Sequence, residues 1–199
     1  LDIGAAQGAL LEEATRLGFA AEGVDHNPDN VRDARAKGLT MRLGKAEDLA
    51  DEAAFDVVTM MDLIEHVPDP AGLLAAAHRA LVPGGTLVVY TPDHLAMTVR
   101  LARILSRLGV RYPVAEIFGR NHVCFFDHRT LRGILQRAGF ADIDLLLRPY
   151  DPARPGQVLS PLNLAAITAV EWLGRPLGQG FRMLAYARKP RRGAAVDYS

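Results

Sequence analysis

The first eight residues read as a strand, a glycine turn and the start of a helix, and this opening most constrains the fold. Residues 1–3 are an apolar run that carries one acid, and Gly4 and Gly8 follow before an apolar pattern of helical spacing. Glycine lets the backbone turn tightly and approach a ligand closely. The helix N-terminus presents free N–H groups and a positive dipole end. The segment therefore predicts a cradle for a nucleotide-like ligand.

Strand and helix patterns alternate along the rest of the chain. Strands are predicted at residues 1–4, 19–25, 39–43, 55–61, 86–91, 140–148 and 181–188. Helices are predicted at 8–18, 27–38, from 69 to just before 83, 128–138 and 161–173. This alternation is typical of a mostly parallel sheet covered by helices on both faces. We expect one domain over residues 1–199, with a helical insertion at about 94–118 and a basic tail at about 189–199.

Composition excludes several other classes of protein. The 23 basic side chains balance 23 acidic ones, so a broad basic face for nucleic acid is not expected. The single cysteine, Cys124, permits no intrachain disulfide, which fits a cytoplasmic location. No apolar stretch reaches the ~20 residues that cross a bilayer. We expect a cytoplasmic protein without a transmembrane segment.

The candidate cofactor residues lie where strands of such a sheet end. Ligands of open α/β sheets bind beyond the carboxyl ends of the strands. Asp25 ends the second predicted strand, where a carboxylate can accept hydrogen bonds from both hydroxyls of a ribose; a turn or helix-capping aspartate is the alternative. Ala46 and Glu47 follow the third strand, where they either contact an adenine edge or simply begin a helix.

The spacing of the glycines argues against a dinucleotide. The dinucleotide fingerprint has three glycines as G-x-G-x-x-G, whereas here Gly4 and Gly8 are separated by three residues. Asp2, two residues before the first glycine, would repel a pyrophosphate but would suit a cationic sulfonium. The residues therefore favour an adenosine cofactor other than a nicotinamide dinucleotide.

Five motifs in one order make this sequence similar to the class I S-adenosylmethionine-dependent methyltransferases. They are Asp2-x-Gly4-x-x-x-Gly8, Asp25, residues 55–58 leading into 62–67, residues 81–87, and His122 with Phe125 and 131–140. The last resembles the branch that includes ubiquinone-biosynthesis O-methyltransferases. One departure is Ala6, where many members have a third glycine.

The resemblance implies a fold and a reaction. The fold is a Rossmann-like three-layer α/β sandwich with a mostly parallel seven-stranded sheet in the order 3-2-1-4-5-7-6, the last strand antiparallel. We expect the family's helices before the first strand to be missing from this chain. The implied reaction is methyl transfer from S-adenosylmethionine to a small-molecule acceptor, at oxygen rather than carbon or nitrogen. A non-catalytic S-adenosylmethionine-binding domain and an NAD-dependent oxidoreductase are the alternatives.

The resemblance and the strand ends together predict the site residues. The predicted cofactor-binding residues are Asp2, Gly4, Gly8, Asp25, His26, Ala46, Glu47, Met61 and Asp62. The candidate bases that position or deprotonate the acceptor are His66, Asp93, His94 and His122. A hydrogen-bonded structural histidine is the alternative for His122, and a helix cap is the alternative for Asp93.

Two further features leave alternatives open. Asp62, Glu65 and His66 have i, i+3, i+4 spacing, which on one helical turn would put them on one side. They could hold a divalent metal that lowers the pKa of an acceptor hydroxyl, although a structural turn is the favoured interpretation. The insertion carries an arginine series and an apolar stripe over about 95–108, which indicates packing on its own domain, a lid over a hydrophobic acceptor, or peripheral contact with a membrane.

Overall fold

The computed structural model describes residues 1–50, 52–96, 99–100, 104, 107, 122–148, 165, 168–169, 172 and 180–191. Within these residues, seven strands form one sheet in the order β3-β2-β1-β4-β5-β7-β6. The strands are β1 (Asp2–Ile3), β2 (Gly23–Asp25), β3 (Met41–Leu43), β4 (Phe55–Met61), β5 (Leu81–Pro92), β6 (Ala141–Arg148) and β7 (Arg182–Arg188). Strand β7 is antiparallel to both of its neighbours, and the pairs among β1 to β5 are parallel. The predicted fold class and strand order are confirmed.

Four helices and two short 3-10 turns can be given bounds in the described part of the chain, and they lie around the sheet. They are α1 (Ala9–Arg16), α2 (Pro28–Ala36), α3 (Pro70–Ala80) and α4 (His128–Arg137), with 3-10 turns at Ala46–Asp48 and Ile64–His66. Side chains cap three of the helices: Asn27 accepts from the Asp29 N–H at 2.9 Å, and Asp69 and Asp127 do the same for α3 and α4. These caps satisfy N–H groups that a helix leaves unpaired, so local sequence sets where the helices begin.

Two of the apolar clusters formed by the described residues hold helices α1 to α4 to the sheet. The larger one packs Leu73 and Leu74 of α3 and Leu131 of α4 against central strand residues such as Met60 and Leu87. The smaller one joins α1 and α2 to the start of β3 through Leu11, Val31, Ala34 and Met41, together with Ala5 of the glycine turn. The turn that follows β1 is therefore packed against the two helices nearest to it.

Some boundaries differ from the sequence-based expectation. Strand β2 is confined to Gly23–Asp25, and β5 begins at Leu81 because Leu81 pairs with Phe55 of β4 ahead of the glycine turn. The predicted helix at 161–173 and most of the insertion at 94–118 and of the tail at 189–199 lie outside the described residues. Among the residues that are described, no helix has the length and apolar character needed to cross a membrane.

Candidate active site

The glycine turn after β1 has the left-handed backbone that its sequence predicts. Gly4 has φ 74° and Gly8 has φ 81°, while Ala6 between them has φ 47° although it is not glycine. This conformation explains why glycine would suit position 6. A Cβ atom at Gly4 would lie 2.9 Å from Leu63 Cδ1, so the missing side chain lets Leu63 pack onto the turn.

The Asp25 carboxylate ties this turn to the end of β2. Oδ2 accepts from the N–H of Ala6 at 2.8 Å, and Oδ1 accepts from the N–H of Asn27 at 2.8 Å and the side-chain amide of Asn30 at 3.2 Å. A carboxylate has about four acceptor sites. Asp25 is therefore buried and oriented by its own loop, with capacity left for one further donor.

A cavity of about 230 Å³ opens at this edge of the sheet. Five of the predicted cofactor residues line it together: Gly4, Asp25, His26, Ala46 and Glu47. These residues come from the ends of three neighbouring strands, as expected for a ligand site of an open α/β sheet. The cavity is thus where the structure brings the predicted cofactor residues together.

The cavity also has walls that sequence reasoning missed. Leu63, Val67 and Pro68, from the turn after β4, and Lys45, after β3, line it as well. The acids and the histidine of residues 62–67 carry the chemical signal in the sequence, whereas the apolar Leu63 and Val67 carry none of their own. Apolar side chains that directly follow a buried strand were the available signal, because they lie at the same sheet edge as the charged ones.

The four remaining predicted cofactor residues do not line the cavity. Asp2 is buried and accepts from the Thr59 hydroxyl at 2.6 Å, and burial raises the pKa of its carboxyl to about 6. Gly8 is the N-cap of α1, where a Cβ would come 2.5 Å from Leu39 Cδ1. Met61 ends β4, and Asp62 pairs with Arg182 instead of lining the cavity. Asp2 and Gly8 thus support the turn from behind.

The turn after β4 forms the second part of the site. Asp62 has φ 51°, and only Ile64–His66 form a short 3-10 turn. The prediction that Asp62, Glu65 and His66 share one face of a helical turn is wrong, because the left-handed Asp62 directs the chain differently. The Asp62 carboxylate instead forms a buried ion pair with Arg182 of β7.

Glu65 is buried and holds this part of the site together through its carboxylate and its backbone carbonyl. The residue is 1% exposed, and its Oε2 accepts from the Thr91 hydroxyl at 2.9 Å. Oε1 has no hydrogen-bond partner among the described residues, and burial raises the pKa of the carboxyl. The Glu65 carbonyl accepts from the N–H groups of Val123 and Cys124 at 2.9 and 3.0 Å. These bonds dock the segment that carries His122 onto the turn after β4.

Docking brings two predicted bases together. The rings of His66 and His122 lie 4.7 Å apart, edge to face. Burial, then the neighbouring His66 and Arg182, lower the pKa of His122 below its usual value. Its Nδ1 is buried and has no hydrogen-bond partner in the described part of the chain. A neutral imidazole of this kind can accept a proton at pH 7.

The other two candidate bases, Asp93 and His94, each contact a different residue. Asp93 Oδ1 accepts from the Leu95 N–H at 2.8 Å within a turn, and burial raises the pKa of its carboxyl. The His94 ring meets Phe125 edge-on at 4.5 Å. Among the described residues, the acidic, histidine and cysteine side chains able to share one metal ion are Glu65, His66 and His122, with ligand atoms within 4.8 Å. Asp93 and His94 do not belong to that group.

The group that could hold a metal ion differs from the three ligands considered in the sequence. Asp62, one of the three ligands predicted from the sequence, is paired with a guanidinium instead of facing Glu65 and His66. One carboxylate beside two imidazoles is a donor set of zinc sites, whereas Mg²⁺ requires several oxygen ligands. The same guanidinium acts electrostatically on Glu65 and His122, where it opposes a second cation.

Comparison with known sequences identifies a family and individual relatives to which this chain is similar. A family model described as "Methyltransferase domain" matches residues 1–145. A ubiquinone biosynthesis O-methyltransferase of Xanthomonas axonopodis pv. citri is 38% identical over 203 residues, which covers 96% of this chain and 75% of that protein. The protein of the same name from Xanthomonas oryzae pv. oryzae is 39% identical over 120 residues, 54% of this chain and 50% of its own length. The chain thus spans only half the length of that relative.

Comparison with solved structures concerns the fold. A SAM-dependent methyltransferase from Archaeoglobus fulgidus superposes with a TM-score of 0.67 at 20% identity, covering 94% of this chain and 84% of that one. The phosphoethanolamine N-methyltransferase 2 of Haemonchus contortus, solved with S-adenosyl-L-methionine, gives 0.62 at 18% identity over 96% of this chain and 48% of its own. At these identities the likeness is one of fold.

Proposed function

This chain belongs to the methyltransferase domain family of S-adenosylmethionine-dependent enzymes, and on that premise we propose that it methylates an oxygen atom of a small, hydrophobic acceptor. The carrying observation is that the ring centroids of His66 and His122 lie 4.7 Å apart, where the segment that carries His122 docks on the turn whose residues Leu63 and Val67 line the cavity. A candidate base thus stands beside the cofactor cavity, and a base is what a hydroxyl acceptor requires.

The cofactor is assigned to the cavity. Asp25 would take a ribose hydroxyl with its remaining acceptor capacity, and Ala46 and Glu47 would lie against the adenine. His26 and the apolar Leu63 are further wall residues for the nucleoside. Asp2, Gly8, Met61 and Asp62 would act by holding the turns in place. The described residues therefore fit a nucleoside-sized group at this sheet edge.

Methyl transfer to a hydroxyl requires that the methyl donor and the acceptor are aligned and that one group accepts the hydroxyl proton. S-adenosylmethionine supplies a methyl carbon that passes in line to the acceptor oxygen, while the electrons of the broken C–S bond stay on sulfur. The neutral His122 ring takes the hydroxyl proton, with His66 as the second candidate. The protein's main contribution is orientation, since the leaving group is already stable.

Exposed apolar side chains support a hydrophobic acceptor. Val123 and Phe125, in the segment that carries His122, are 57% and 52% exposed. The relatives are named ubiquinone biosynthesis O-methyltransferases, which favours a hydroxylated aromatic ring among hydrophobic acceptors. A membrane contact through about 95–108 concerns residues that lie largely outside the described part. A cytoplasmic location remains part of the proposal and rests on the single cysteine.

Binding and transfer can be tested separately. Calorimetry with S-adenosylhomocysteine and with NAD should show saturable binding of the first alone. Methyl-labelled S-adenosylmethionine should then label phenols that carry an apolar tail, in preference to simple catechols and sugars. Binding of S-adenosylhomocysteine without transfer to any acceptor would favour a non-catalytic domain, and tight NAD binding with no response to S-adenosylhomocysteine would overturn the proposal.

A further inference from the structure

Two buried polar atoms near the turn after β4 have no hydrogen-bond partner among the described residues. They are Oε1 of Glu65, a residue that is 1% exposed, and Nδ1 of His122. In folded proteins such atoms are explained by a bound ion, a bound water or a functional role. Glu65 and His122 therefore mark a place where a ligand can bind.

These two atoms belong to a compact group of three donors. One ligand atom from each of Glu65, His66 and His122 lies within 4.8 Å of the other two. One carboxylate and two imidazoles are the protein ligands of several zinc enzymes, in which the fourth position stays open. The donors of a tetrahedral zinc site lie roughly 3.3–3.6 Å apart, so side-chain rotations that draw the three atoms closer complete such a site.

Contacts from separate parts of the chain hold the donors in place. The Thr91 hydroxyl at the end of β5 donates to Glu65 Oε2 at 2.9 Å and leaves Oε1 available. The Glu65 carbonyl accepts from the N–H groups of Val123 and Cys124 at 2.9 and 3.0 Å, which fixes the backbone directly after His122. A site whose donors are positioned in advance loses less free energy to ordering when the ligand binds.

The charges of the surroundings select the kind of ligand and limit its affinity. Glu65 supplies the one carboxylate of the group, which favours a cation, and two imidazoles favour Zn²⁺ over Mg²⁺. The Arg182 guanidinium opposes a cation here, although its pairing with Asp62 offsets part of its charge. We therefore expect binding of micromolar order, weaker than that of a structural zinc site.

We propose that Glu65, His66 and His122 bind a divalent cation of the zinc class and that this cation inhibits methyl transfer. A neutral imidazole has one ring nitrogen with a free lone pair, and both a metal ion and a proton need that lone pair. A cation held by His66 and His122 thus removes both candidate bases at once. The inference rests on the proposed function, in which His122 takes the hydroxyl proton.

Metal binding tests the site without an acceptor. Calorimetric titration of the S-adenosylhomocysteine-bound protein with Zn²⁺ should show a saturable site with a Kd of roughly micromolar order, and Mg²⁺ should show none. Co²⁺ should give the visible absorption bands of a tetrahedral site. His66→Gln and His122→Gln should each weaken Zn²⁺ binding at least about tenfold, since each removes one of three ligands.

Inhibition is measured on the same proteins. Wild-type methyl transfer should proceed in EDTA, fall as Zn²⁺ is added, with half-inhibition near the Kd, and return with excess EDTA. Half-inhibition of His66→Gln should need at least about tenfold more Zn²⁺. His128→Gln removes an exposed histidine of α4 and Cys124→Ser removes the free thiol, so both should bind Zn²⁺ as the wild type does.

Three outcomes would overturn the inference. They are a wild type without a saturable Zn²⁺ site, wild-type Zn²⁺ affinity in both His66→Gln and His122→Gln, and transfer that is lost in EDTA and restored by Zn²⁺ or Mg²⁺. Thermal melts establish that each variant is folded, and the wild-type titration decides the matter even if a variant is not. Absence of transfer to every acceptor, with and without Zn²⁺, would instead count against the proposed function.

Discussion

The part of this sheet edge around Asp25, which we assign to the cofactor (the cofactor side), and the part around Asp62 and Glu65, which we assign to the acceptor (the acceptor side), differ in how their acids are hydrogen-bonded. Asp25, on the cofactor side, is bonded to two backbone N–H groups and one amide, all within its own loop or the neighbouring glycine turn. Glu65 and Asp62, on the acceptor side, depend on Thr91 and Arg182, which are distant in sequence.

The difference concerns rigidity and charge. Backbone N–H groups of Ala6 and Asn27 orient the Asp25 carboxylate, so the cofactor side is organised mainly by backbone hydrogen bonds. Glu65 keeps one oxygen without a described partner and has a raised carboxyl pKa, so the acceptor side is organised by long-range side-chain contacts. A shared cofactor needs the first kind of site, and a particular acceptor can be accommodated by altering the second.

The largest expected effect is a loss of kcat caused by a change on the acceptor side alone. His122→Gln removes the proposed base and should lower kcat by about a hundred- to ten-thousandfold. The affinity for S-adenosylhomocysteine, measured by calorimetry, should stay within about twofold, because His122 does not line the cavity. His128→Gln, at an exposed position on α4, serves as the control. Equal losses of kcat and cofactor affinity would show that the two sides are not separate.

The next effect probes the buried acid behind the cofactor turn. The pKa of Asp2 is about 6 in the folded protein against a usual value of 3.8, so the folded state holds the proton more tightly. Stability from this group is fully present below pH 3.8 and is lost as pH rises through about 6. The loss should reach about 3 kcal/mol in the free energy of unfolding.

Asp2→Asn should remove that pH dependence. Urea unfolding between pH 4 and 7 should therefore give a flatter stability profile for the variant than for the wild type. Asp56→Asn, an exposed acid on the adjacent strand, should leave the wild-type slope intact. Parallel profiles for Asp2→Asn and the wild type would mean that the Asp2 carboxyl does not titrate in this window.

A smaller effect is expected from a change on the cofactor side, where the affinity for S-adenosylhomocysteine should fall. Asn can accept with only one side of its amide, so Asp25→Asn would turn an NH₂ group toward either Ala6 N–H or the Asn27 and Asn30 donors. We expect S-adenosylhomocysteine binding to weaken by roughly thirtyfold, about 2 kcal/mol. Asp29→Asn changes an exposed acid of α2 and should have no such effect. Unchanged affinity in Asp25→Asn would contradict the assignment of Asp25 to the cofactor.

The smallest effect separates packing from backbone strain. Gly8→Ala and Gly38→Ala both place a side chain at positive φ, 81° and 82°, but only at Gly8 would the Cβ meet a neighbour, Leu39. Each should lose about 1 kcal/mol to strain, and Gly8→Ala about 1 kcal/mol more as Leu39 is displaced. Urea midpoints measure the difference, and equal losses would show that Leu39 yields without cost.

The family resemblance predicted the strand order, and local signals brought five of the nine predicted cofactor residues to one cavity, while their part in binding the cofactor stays a prediction. The glycine spacing, the acid that ends β2 and the capped helix starts each act within a few residues. The placement of Asp62 on one helical face with Glu65 and His66 was wrong, because Asp62 has φ 51° and pairs with Arg182, 120 residues away in the sequence. Sequence reasoning also missed Leu63, Val67 and Lys45, whose place in the cavity follows from how the strand ends converge.

The glycine turn, the strand-end acids and the alternation of elements by themselves determined the α/β sheet and the cofactor edge, because backbone conformation and periodicity are properties of the chain alone. The tertiary structure decided that His122 lies beside His66. The Glu65 carbonyl joins His122 to His66, and Arg182 reaches Asp62 only because β7 lies beside β5 in the sheet. Charge balance among side chains distant in sequence depends on their separation in space, and folding alone fixes that separation.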